Sequence, residues 1–68
     1  MNRVAELRRA MGLTQEELAY RARVSLRSVA AWENGEVIPR KRNARHLAKA
    51  LRVDLDALQL GAADKPDR

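Results

Sequence analysis

Residues Leu13 to Gly35 read LTQEELAYRARVSLRSVAAWENG, and the fold follows from how this stretch divides. Thr14 can cap a helix with its hydroxyl, while Glu17, three residues on, reaches back to the backbone donor that a helix start leaves open: a capping box. Leu18, Ala19 and Ala22 then fall on one face. Arg23-Val24 interrupts that pattern and Ser25 offers a second N-cap. In the helix that begins there, Val29 and Trp32 share a face at i, i+3, Arg27, Ser28 and Ala31 point elsewhere, and Asn34-Gly35 supplies a left-handed stop. The stretch is therefore two short helices joined by a tight turn, the second with a buried stripe and a small, partly polar outward stripe.

Outward from this pair, Val4, Leu7 and Met11 repeat at i, i+3, i+7 and predict a first helix from about Asn2 to Met11, closed by Gly12. The central pair occupies about Gln15–Ala22 and Leu26–Asn34. Glu36-Val37-Ile38-Pro39 is a loop, because Pro39 biases Ile38 away from helical geometry. A fourth helix over about Arg40–Leu51 has Ala44, Leu47, Ala48 and Leu51 as its buried stripe. Asp54 can cap a short fifth helix, Leu55 to about Leu60, with Val53 as a hydrophobic staple and Gly61 as its end. The expectation is an all-α, five-helix domain over residues 1–60. The tail, residues 61–68, has no periodicity and is expected to be disordered.

Sixty-eight residues make one domain at most, close to the lower size at which an unstapled chain buries a sufficient core. An enzyme with a roomy pocket is not expected. There is no cysteine, so neither a disulfide framework nor a thiolate metal site, and the single histidine, His46, cannot make a metal centre alone. Nothing calls for a cofactor. No apolar run approaches the roughly 18 residues of a membrane span and no apolar leader opens the chain, which gives a cytoplasmic expectation without a membrane partner. Net charge is +5, from fourteen basic and nine acidic residues. Between Arg40 and Arg52 stand six Lys and Arg side chains and no acid, a surface with one sign that favours a polyanionic partner.

Leu13-Thr14-Gln15-Glu16-Glu17-Leu18-Ala19, then Val24-Ser25, then Trp32-Glu33-Asn34-Gly35, resembles the helix-turn-helix of the phage repressor and Cro (XRE-like) class of DNA-binding proteins. Leu47-Ala48-Lys49-Ala50-Leu51 and Val53-Asp54-Leu55-Asp56-Ala57-Leu58 resemble later helices of the same lambda-repressor-like domain, so the likeness covers nearly the whole chain. It implies five helices with the third in the major groove of double-stranded DNA. It also implies an ion pair between Arg8 and Glu33, against the plainer reading that both are solvated. The chain departs from the family pattern at Arg23 and Arg52, where glycine is usual and the backbone is normally left-handed. A non-glycine residue there costs on the order of 1 kcal/mol, so either the turns absorb that strain or their conformation differs. Where Lys41 stands, the family often has an apolar residue.

A helix in the major groove offers its first residues and those one to two turns later to base edges, which makes Leu26, Arg27, Ser28, Ala30 and Ala31 the base-contact candidates. Arg27 can fork onto guanine O6 and N7, worth ~1–3 kcal/mol of discrimination, against the alternative that it meets only phosphate or solvent. Leu26 and Ala31 can pack on thymine methyls, unless they are core edge and helix filler. Gln15 resembles the family position that binds a phosphate and sometimes braces a recognition-helix side chain, and Ser25, Arg40, Lys41, Arg42 and Asn43 are further backbone-contact candidates. Three positive charges at the start of the fourth helix have the wrong sign for the helix dipole and want an anion. Trp32 reads as core rather than as a base-stacking aromatic.

The function expected from this is sequence-specific DNA binding by a transcriptional repressor or regulator, acting as a homodimer on a palindromic operator. Leu55, Leu58 and Leu60 can supply the dimer face or else close the monomer's own core. The rival reading is an antitoxin-type module that binds a partner protein and represses its own operon; co-purification of a second chain would favour it.

Overall fold

The computed structural model describes residues 2–60, which form four α-helices and one turn of 3-10 helix: α1 (Val4–Ala10), α2 (Gln15–Ala22), α3 (Leu26–Glu33), α4 (Lys41–Leu51) and the 3-10 turn Leu55–Leu58. The five-helix expectation is corrected here. Asp54 makes no side-chain cap bond, and Gln59 turns left-handed at φ 53°, so the last segment closes after one turn instead of continuing to Leu60. Ala57 N–H and Gln59 N–H bond three residues back, to Asp54 and Asp56, in the tighter 3-10 pattern. Gly61, expected to end that helix, and the tail expected to be disordered lie outside the described residues.

α1 begins at Val4 because Asn2 Oδ1 accepts the Val4 N–H at 3.0 Å and fixes the chain before the helix. α2 starts on the capping box: Thr14 Oγ1 accepts from Glu17 N at 3.0 Å and Glu17 Oε1 accepts from Thr14 N at 2.8 Å. α3 starts on Ser25, whose hydroxyl accepts from Ser28 N. All four helices end in one type of closure, in which a left-handed residue follows the helix and the N–H after it reaches a carbonyl five residues back. Those bonds are Leu13 to Arg8, Val24 to Ala19, Glu36 to Ala31 and Val53 to Ala48. Glycine takes the left-handed position after α1 and α3, while after α2 and α4 it is held by Arg23 (φ 60°) and Arg52 (φ 58°). The turns absorb the arginines without leaving the left-handed region.

One core holds the helices together. Val4, Leu18, Val29, Leu47 and Leu58 are its largest fully buried side chains, joined by Trp32, Leu51 and Leu60. α2 lies at the centre, packed on both α3 and α4, and α4 also carries the 3-10 turn. Of the three leucines expected at a dimer face or in the monomer's own core, Leu58 and Leu60 lie in the core and Leu55 remains partly exposed. The chain's first and last described turns meet, since Arg3 N–H donates to the Leu58 carbonyl at 2.9 Å.

Candidate nucleic-acid interface

α3 divides as its sequence does. Val29 and Trp32 are buried, Leu26 and Arg27 are exposed, and Ser28, Ala30 and Ala31 are half-buried. Arg27 stands at the second position of the helix and forms no ion pair among the described residues. The Ser25 hydroxyl is occupied twice by its own turn, donating to Ser28 Oγ at 2.9 Å and accepting the Ser28 N–H at 3.0 Å. The small side chains of Ser28, Ala30 and Ala31 let a partner approach the α3 backbone closely.

Behind α3 lies a polar knot. Arg8 Nε donates to Glu33 Oε2 at 2.6 Å, Arg8 Nη2 to Glu33 Oε1 at 3.1 Å, and Arg8 Nη1 to the Leu13 carbonyl at 2.8 Å. The two charged side chains are only 10% and 5% exposed. Gln15 Nε2 donates to the same Glu33 Oε1 at 2.9 Å, so one carboxylate fixes α1, the start of α2 and the end of α3. Burial pushes the Glu33 carboxyl up, but hydrogen bonds from Arg8 and Gln15 and the charges of Arg8 and Arg9 outweigh it and hold the group below the usual carboxylate range. Gln15 keeps its Oε1 and one further N–H for an outside partner.

The start of α4 is built differently from those of α2 and α3. Arg40, its N-cap, makes no side-chain cap bond, and the first turn, like that of α3, carries no acid. The N–H groups of the first turn therefore have no side-chain cap from Arg40 and stand beside exposed Arg40, Lys41 and Arg42 and half-buried Asn43. Oriented backbone donors with the positive helix end and cationic side chains make a place where a phosphate is favoured. Among the described residues, Arg40, Lys41 and Arg42 form no ion pair.

Two further features escaped sequence reading. Asn2 Nδ2 donates to the Trp32 carbonyl at 2.9 Å, tying the chain's start to the end of α3. Pro39, in the loop that leads into α4, is buried. An asparagine before a helix is a readable cap signal, but its second partner, thirty residues away, is not.

The family model for the helix-turn-helix matches residues 4–58, from the first residue of α1 to the last of the 3-10 turn. The chain belongs to the helix-turn-helix family. It is of the phage repressor and Cro type, a non-catalytic domain whose general role is DNA binding and regulation. No curated protein and no solved structure gives a significant match. Within this helix-turn-helix, α2 and α3 are the two named helices and Arg23-Val24-Ser25 is the turn between them. Among the described residues, no group of acidic and histidine side chains is placed to hold a metal ion, and no helix is long and apolar enough to cross a membrane.

Proposed function

We propose that this helix-turn-helix domain is a sequence-specific transcriptional regulator that occupies a palindromic operator as a symmetric dimer. The observation that carries this reading is the outward face of α3: an exposed Arg27 without an ion-pair partner, set among small side chains at the start of a helix whose other face is locked into the core. Arg27 addresses a base edge, Leu26, Ser28, Ala30 and Ala31 pack along the groove, and Gln15, Arg40, Lys41, Arg42 and Asn43 position the duplex through its phosphates, while the Ser25 hydroxyl, whose hydrogen is donated to Ser28, holds the turn instead. The uncapped, basic start of α4 supports the phosphate role. With Leu58 and Leu60 buried, Val37 and Ile38, exposed in the loop after α3, and Leu55 are among the apolar side chains available for a two-fold partner, as is the more exposed Tyr20.

Selection of bound duplexes from a random pool at about 150 mM salt, where purely electrostatic binding is weakened, tests this. Enrichment of a two-fold-symmetric site is the expected result, with half-sites about one helical turn apart. No enrichment, alongside binding of any duplex at low salt, would overturn the sequence-reading role.

A further inference from the structure

A second basic surface lies at the other ends of the helices. The C-terminal ends of α2 and α4 enclose an open concavity of about 400 Å³ between them. Its rim is Arg21, Arg23, His46, Lys49 and Arg52, all exposed; its floor is the small side chains of Ala22 and Ala50, and no acidic residue lines it. Among the described residues none of the five takes part in an ion pair. Arg52 stands ten residues beyond Arg42, roughly 15 Å along α4 at the ordinary helical rise, so this cluster is distinct from the basic start of that helix.

The helix closures make the placement informative. Four helices end in the same left-handed turn, and two of these turns carry the residue that fits without cost, glycine. The two that carry arginine instead are the two that meet at this concavity. A cation near a helix C-terminus complements its dipole, yet that benefit is local to each helix and is obtained from exposed side chains in the last turn, such as Lys49, without a left-handed arginine. It does not account for four permanent charges converging, together with a histidine, around one hollow with no counter-charge. Like charges held together repel, and a bound anion relieves that repulsion.

We propose that the hollow between the C-terminal ends of α2 and α4 binds a free, multiply charged phosphate compound, at a site separate from the DNA-facing surface. Its volume, about 400 Å³, falls within the range of small-ligand pockets. Arginine forks match phosphate oxygens in pairs, and Lys49 and His46 supply further donors.

Titration of the full isotope-labelled chain with inorganic tripolyphosphate at about 150 mM salt, followed residue by residue by NMR, is the test. Saturable shifts at the amides of Arg23, His46, Lys49 and Arg52 are expected, at lower tripolyphosphate concentration than any shift at Arg40–Asn43. The double variant R23G/R52G removes two charges while placing glycine where it fits best, so its unfolding midpoint should be no lower and its affinity for tripolyphosphate at least about tenfold weaker. The exposed K49Q variant should weaken binding independently. A short duplex added to the complex should shift α3 and leave tripolyphosphate in place. Shifts that do not saturate, shifts centred on Arg40–Asn43, unchanged affinity in R23G/R52G, or displacement of tripolyphosphate by the duplex would each overturn the proposal.

Discussion

Glu33 Oε1 accepts from both Arg8 Nη2 and Gln15 Nε2, so a single oxygen joins a buried charge to a side chain at the edge of the candidate interface. Replacing Glu33 by Gln leaves the Arg8 guanidinium buried without its counter-charge, and about 3 kcal/mol of stability should be lost in urea unfolding, because an orphaned buried charge costs more than the pair ever contributed. The same site has a pH signature. Because Glu33 is held below the ordinary carboxylate range in the fold, its stabilisation is complete above the unfolded-state value of about 4.3 and disappears as pH falls through the lower folded value. Unfolding midpoints measured from pH 6 downward should therefore decline in the natural chain and decline less steeply in E33Q. Arg8 stays charged throughout and contributes no slope of its own.

Helix ends, more than helix middles, give these short elements their limits. Thr14→Ala removes one half of the capping box of α2 and should cost about 1 kcal/mol in thermal or urea unfolding. Arg23→Gly should go the other way by up to about 1 kcal/mol, the relief of a Cβ in the left-handed region being partly offset by the greater freedom of glycine in the unfolded chain. A measured loss on Arg23→Gly would mean that the arginine side chain contributes more than its backbone costs. The legibility of the fold follows the same division. Thr14 with Glu17, Ser25, Gly12 and Gly35 act within a few residues of themselves, and each is readable as a start or a stop. The segment from Leu55 is not, because a cap-type residue and an apolar spacing are shared by α-helix and 3-10 turn over a single turn, and only the absent Asp54 cap bond and left-handed Gln59 decide between them. At the candidate interface, local pattern points Gln15 outward, while its hydrogen bond to Glu33 depends on a partner eighteen residues away that no local pattern displays.

For the molecule as a whole, charge is sorted by position. The acids Glu16 and Glu17 lie at the start of α2, while the run from Arg40 to Arg52 carries none, so both ends of α4 are positive. Each of Arg40, Lys41 and Arg42 changed to Ala should weaken binding to all duplexes alike and reduce the slope of log affinity against log salt by about 0.9 for each phosphate no longer neutralised. Arg27→Ala should instead relax preference at one base pair, by ~1–3 kcal/mol in competition with substituted sites. An unchanged preferred sequence in that variant would remove Arg27 from the reading role. The bond between Arg3 N–H and the Leu58 carbonyl has a mechanical consequence. Residues 2 and 60 lie just outside that bond, so traction applied through them acts across it and across the Asn2–Trp32 bond. The domain is in this sense a clasp: the start of the chain is fastened both to the last described turn and to the end of α3.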